Sequence, residues 1–333
     1  MLYSSGAGAA HKLALPTART CSSSDETSDK RDSINAPDET KSGIAWKLGP
    51  SRRISAPHLK RKAKEQLEVY SLYPFDDDML FFADGDEGMR AFSLMSGQLL
   101  PHDPCQLKPV YKIAFHAPTD TLVLVIDHFW LASLRRNVPT SDEWLEVDRT
   151  QLPPNLIVNE MSLCGSRVLI GCWCGDELYA YEVIAEHHLR RVGTIPLPKQ
   201  ILRFAVTHLD GDTLVALSHG TSVSLHLLDD TVPTNLRLKR LYHVALDGPV
   251  FLLFHHNMLL IADSNQHTGT HAIVQFRASG RQLAPPQGQV LLDAKDSFNV
   301  CEFCVAGERL VICDIRTKDL HVYDIDQADQ TYP

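Results

Sequence analysis

Five carboxylates return at one point of a repeated unit. Asp84, Asp127, Asp263 and Asp314 each close a short apolar run, and Asp176 follows another. Gathered on one surface, they would create a negative potential able to hold a cation or steer a basic peptide. Aspartate at a strand end also caps nearby backbone N–H groups as a turn former, and that role fits the same spacing. Trp173, between Cys172 and Cys174 beside Asp176, is a candidate aromatic anchor for a bound segment. Asp84-Gly85-Asp86-Glu87-Gly88 shares part of a calcium loop without completing its spacing, so no metal site and no cofactor are expected.

Other chemistry-bearing residues point away from catalysis. Cys301 and Cys304 have the spacing of a zinc pair, but residues three apart on a strand face opposite ways. The thiols are therefore expected in the core. His187-His188 and His255-His256 are adjacent pairs that a strand would splay apart. No nucleophile elbow, HExxH, P-loop or dinucleotide fingerprint occurs. Near the N-terminus, Arg52-Arg53-Ile54-Ser55 matches a basophilic kinase site at Ser55. Lys60, Arg61, Lys62 and Lys64 form a short basic run of the nuclear-import type.

These residues must be held by β-strands. The runs Met79–Asp84, Leu122–Asp127, Arg167–Cys172, Thr213–Ser218, Met258–Asp263 and Arg309–Asp314 align at spacings of 43, 45, 46, 45 and 51 residues. Several short strands inside such a period mark a β-propeller blade, which cannot bury its own apolar faces and must pack on its neighbours. Within the period, Leu178-Tyr179-Ala180-Tyr181 and Leu320-His321-Val322-Tyr323 alternate as strands do. The expected fold is all-β, a propeller of six four-stranded blades behind a disordered N-terminal tail.

Residues 1–42 are polar and poor in large apolar side chains, which predicts disorder. Residues 43–66 form a basic linker, and 67–333 the propeller. The sixth unit ends without an outer strand, and an unclosed ring leaves bare sheet edges. The alternating segment Ile44–Leu48 is the expected closing strand.

Leu80-Phe81-Phe82-Ala83-Asp84-Gly85, then Met89-Arg90-Ala91-Phe92 and Ser96-Gly97-Gln98-Leu99, resembles the repeats of WD40, YVTN and quinoprotein-like β-propellers. The resemblance spans roughly residues 68–326 and implies architecture; it transfers no catalytic or cofactor residue.

Charge completes the reading. Residues 1–66 carry 12 basic and 7 acidic side chains, net +5, and the remainder 20 and 34, net −14. So acidic a body repels phosphate backbones, which excludes nucleic acid as the propeller's ligand and favours a basic segment of a protein partner. No apolar run is long enough to span a membrane, and the absence of sequons and of a disulfide framework indicates a reducing compartment, cytoplasmic or nuclear. The expected protein is a monomeric, non-enzymatic interaction scaffold. The alternative is a cation-dependent hydrolase of lactonase type using the same aspartates.

Overall fold

The computed structural model describes residues 47–54, 71–84, 88–100, 104–138, 143–154, 156–172, 175–231, 235–246, 249–265, 270–279, 282–283, 288–291, 300–314 and 319–326. The chain divides into two units, Met1–Lys41 and Ser42–Pro333, and every described residue belongs to the second. The predicted tail 1–42, Trp173, Ser55 and the run Lys60–Lys64 lie outside the described residues.

Six antiparallel sheets account for the described strands. After β1 (Lys47–Ile54), the first sheet comprises β2 (Ser71–Pro74), β3 (Met79–Asp84), β4 (Gly88–Ser93) and β5 (Gln98–Leu99). The second has β6 (Val110–His116), β7 (Thr121–Ile126), β8 (Trp130–Arg136) and β9 (Trp144–Gln151). The third has β10 (Val158–Cys164), β11 (Arg167–Cys172), β12 (Glu177–Val183) and β13 (Leu189–Pro196). The fourth has β14 (Arg203–Leu209), β15 (Asp212–Ser218), β16 (Ser222–Asp229) and β17 (Arg237–Ala245). β18 (Pro249–His255), β19 (Met258–Asn265), β20 (Thr270–Ser279), β21 (Gln282–Leu283) and β22 (Gly288–Leu291) make the fifth. The last joins β23 (Val300–Ala306), β24 (Arg309–Asp314) and β25 (Leu320–Asp326) to β1.

The expected plan of six four-stranded blades is corrected: five four-stranded blades are found, not six. Five sheets have four strands, but the fifth has five, because the long β20 pairs with β21 at one end and with β22 at the other.

Closure is achieved by β1, antiparallel to β25, with Ile54 opposite Leu320 and Arg52 opposite Val322. Of the expected closing segment Ile44–Leu48, Lys47 and Leu48 lie in this strand, and residues 44–46 lie outside the described residues. The strand runs on through Arg52-Arg53-Ile54 because Ile54 has an apolar berth, buried with Leu72, Phe92, Leu320 and Val322. Arg52 reaches the next sheet, its Nη2 donating to the Leu94 carbonyl at 2.6 Å. The basic pattern read as a kinase site thus has both arginines in a paired strand.

The core is divided among the seams between sheets. Val123, Val125, Met161 and Tyr181 share the seam of the second and third sheets. Leu169, Ile195, Phe204 and Val215 fill the seam of the third and fourth. Leu80, Phe92, Val311 and Val322 close the seam between the first and last. The apolar runs of the second strands lie almost wholly inside these seams, each large side chain contributing about 1.5–3 kcal/mol on burial. Innermost strands pack in ring order, β2 on β6, β6 on β10, β10 on β14, β14 on β18, β18 on β23 and β23 on β2.

Candidate functional site

Register decides which side chains meet at the centre. In every sheet the first residue of the innermost strand pairs with the end of the second strand: Ser71 with Ala83, Val110 with Ile126, Val158 with Cys172, Arg203 with Ser218, Pro249 with Asp263, Val300 with Asp314. In four sheets a bulge follows at once, leaving Tyr111, Asn159, Val250 and Cys301 out of the ladder register. A bulge puts two residues opposite one and re-aims what comes next. The residues that follow are Lys112, Glu160, Phe251 and Glu302.

These residues converge. Lys112 Nζ lies 3.5 Å from Glu160 Oε1 and 3.7 Å from Glu302 Oε2. Arg203 Nη1 is 3.3 Å from Glu160 Oε2 and donates to the Asn159 carbonyl and to Asn159 Oδ1, each at 2.8 Å. Its guanidinium stands over the Phe251 ring, 4.6 Å from the centroid. Asn159 Nδ2 in turn donates to the Leu202 carbonyl. Contacts among strand-start residues of β6, β10, β14, β18 and β23 bring these strand starts to one end of a shared central channel.

The four charges balance, two of each sign, and all are largely withdrawn from solvent. Burial raises the Glu302 carboxyl well above the carboxylate range, to about 7, with Lys112 pulling it down and Glu160 pushing it up. Below the network is a cavity of about 300 Å3 reached by all six innermost strands, with Glu160 and Glu302 in its wall and His255 at its far end. Burial lowers the His255 imidazole to about 4, and its ring sits 4.2 Å from that of His256. The expectation that a strand would splay this pair is corrected: His256 leaves β18 with φ +50°, so the turn folds the two rings together.

The predicted aspartates lie at the same end of their sheets. Asp84 and Asp314 end β3 and β24, opposite Gly88 and Val300, and Asp263 pairs with Pro249 within β19. Asp127 and Asp176 lie just beyond β7 and β11, both exposed. Asp127 takes φ +51°, and its N–H donates to the Pro109 carbonyl at 3.1 Å. It is therefore a turn former with its carboxylate in water.

The thiols pack as expected. Cys304 and Cys313 lie in the seam between the first and last sheets and Cys172 in that between the second and third. Burial, with Glu177 and Asp176 nearby, pushes the Cys172 thiol up to about 12, which leaves it protonated and unreactive. Among the described residues no group of three or more His, Cys, Asp or Glu is placed to hold a metal ion. No helix among them is long and apolar enough to cross a membrane.

Sequence reasoning missed the channel network. Its one available signal was that Lys112, Glu160 and Glu302 each stand two residues into an innermost strand.

No protein-family model matches the chain, and no curated protein matches it in sequence. Solved structures do match in fold. A Bacteroides fragilis protein provisionally assigned as a 6-phosphogluconolactonase aligns over 78% of this chain and 81% of its own, with TM-score 0.54 and 13% identity. A Lactobacillus plantarum protein aligns over 77% and 80%, also with TM-score 0.54 and 13% identity. At that identity the likeness is one of fold, the β-propeller.

Proposed function

We propose that this chain is a non-enzymatic interaction propeller, its sheets acting as blades closed by β1, that receives a basic segment of a protein partner on the face where the second strands end. The observation that supports it is register: Asp84, Asp263 and Asp314 lie in the second strands of three sheets near their ends, and Asp127 and Asp176 follow the second strands of two others. The charges inside the mouth are mutually paired, so the aspartates set the sign of the field there. Exposed Phe129 and Ile157, next to the strand ends that carry Asp127 and Cys172, offer apolar footholds. Trp173 is the aromatic anchor in this reading. Nucleic acid is disfavoured by the net −14 of residues 67–333.

The test is binding of a fluorescent Lys/Arg-rich peptide across a salt series. Binding should weaken as salt screens the face, and Asp84→Lys with Asp263→Lys should weaken it further. Peptide retention unchanged by the double reversal sinks the reading. The same reading assigns Lys60, Arg61, Lys62 and Lys64 to nuclear import, with Ser55 phosphorylation adding about −1.5 to −2 charges beside them. The nuclear fraction should fall in Ser55→Glu and not in Ser55→Ala.

A second reading, a cation-dependent lactone hydrolase, draws on the fold shared with the Bacteroides fragilis protein. It requires a divalent ion retained through purification and lactone turnover lost on chelation.

A further inference from the structure

We propose that β17, the outer edge of the fourth sheet, is a docking strand for an acidic, extended segment of a protein partner, which adds to the sheet as a further antiparallel strand. The site lies on the outer rim and does not depend on the function proposed for the aspartate face. β17 ends the order β14-β15-β16-β17 and pairs only with β16. Among the described residues no other backbone hydrogen bond reaches residues 237–245, so one side of this 9-residue strand keeps its N–H and C=O groups open. An open edge of this kind is a template for another strand.

Charge selects the occupant. Arg237, Lys239 and Arg240 are exposed, in a body whose residues 67–333 sum to −14. Among the described residues none of the three is in an ion pair. Arg237 Nε donates to Asn235 Oδ1 at 3.1 Å. Asp229, opposite Arg237 in the ladder, turns its carboxylate to the Thr231 N–H at 3.2 Å and hydroxyl at 2.8 Å. The arginines of two other outer strands are engaged: Arg149 of β9 by both oxygens of Glu146, and Arg190 of β13 by Glu182. Cations on an edge repel a second copy of that edge, and the same cations favour an acidic strand, because opposite charges across a ladder attract. The ladder to β16 sets the faces. Arg237 and Lys239, opposite Asp229 and Leu227, share a face with Tyr242 and Val244, and Arg240, opposite His226, is on the other. The segment recognised therefore carries acids opposite Arg237, Lys239 and Arg240 and apolar residues opposite the half-buried Leu238, Tyr242 and Val244.

The experiment is fluorescence anisotropy of the full chain with a labelled peptide of that pattern, Val-Thr-Val-Glu-Glu-Val-Glu. The controls are the same peptide with Lys for Glu, two versions N-methylated at alternate positions, and an oligodeoxythymidine. Saturable binding is expected for the acidic peptide. The Lys version should bind about tenfold more weakly or worse, three attractive pairs having become repulsive. In an antiparallel pair only alternate residues exchange N–H···O bonds, so one methylated version should lose binding and the other keep it. Arg237→Glu with Lys239→Glu and Arg240→Glu should lose the binding in a chain that still melts cooperatively. No saturable binding up to millimolar peptide overturns the proposal. Equal binding by both methylated versions also overturns it, since charge alone would then hold the peptide. Tighter binding of the oligonucleotide would make the strand a polyanion site and overturn it too.

Discussion

Lys112 Nζ lies 3.7 Å from Glu302 Oε2 across the channel, joining the second sheet to the last, which the first sheet separates in the ring. Seam packing ties each sheet only to its neighbours, so this pair is a tether of a different kind. Removing Lys112 leaves Glu160 and Glu302 in a buried site without the cation they share, whereas removing Glu302 leaves Lys112 its Glu160 neighbour. Lys112→Met alone should therefore cost about 3–5 kcal/mol, and adding Glu302→Gln should recover part of the loss. Urea denaturation of the four proteins measures it. Additive single losses would show that the tether carries no coupling.

The raised Glu302 carboxyl gives this network a pH signature. Its folded pKa, about 7, exceeds the ordinary carboxylate value of 4.5, so the folded chain holds the proton more tightly than the unfolded one. That contribution is fully present below about pH 4.5 and is lost as pH rises through 7. Between these limits the native protein should lose stability relative to Glu302→Gln. Parallel stability profiles of the two would refute it.

The fold was legible because the apolar runs that end at Ala83, Ile126, Ala262 and Cys313 are buried on both faces and repeat at nearly constant spacing, a signal that survives without knowing register. The channel network was not legible. Lys112, Glu160 and Glu302 look like solvent-facing members of an alternating strand, and only the bulges at Tyr111, Asn159 and Cys301 turn them to the axis. Extra residues of this kind leave no mark in a period-two pattern. The closing strand was visible as a need. Its register was not, because Ile54 is chosen by a seam built from residues at the far end of the chain.

The histidines of the fourth sheet work in the opposite pH direction. Ser224 Oγ lies 2.9 Å from His219 Nε2 and 2.8 Å from His226 Nε2, and burial lowers His226 to about 4, assisted by His219 and Arg240. A depressed histidine favours the neutral folded state. Its contribution is present above about pH 6.5 and lost as pH falls toward 4. His226→Phe should flatten the acid limb of the stability profile while leaving the neutral limb to Glu302. An acid limb unchanged in that variant would place the sensitivity elsewhere.

A hydroxyl relay ties the second sheet to a turn of the third. His116 Nδ1 meets Thr119 Oγ1 at 2.6 Å, Thr119 meets Thr121 Oγ1 at 2.6 Å, and Thr121 meets His187 Nδ1 at 2.7 Å. Ser133 Oγ also donates to the His187 carbonyl. Thr121 is fully buried, so Thr121→Val keeps its shape while leaving His187 and Thr119 short of a partner. The expected loss is about 1–3 kcal/mol in urea denaturation. A neutral result would mean that water replaces the hydroxyl.

Gly171 tests the seam between the third and fourth sheets without touching any charge. A Cβ at this position would stand 2.7 Å from Phe204 Cε1 and 3.2 Å from Leu178 Cδ2. Phe204 is buried among Leu169, Ile195 and Val215, so its ring has little room to retreat. Gly171→Ala should cost about 1–3 kcal/mol by overpacking, even though alanine suits a strand better than glycine. Gly171 also pairs with Glu160, so the strain should reach the channel network. If Phe204 is shortened to leucine in the same chain, the methyl gains space and most of the loss should return. A double variant no more stable than Gly171→Ala alone would show that the seam does not set this position's size limit.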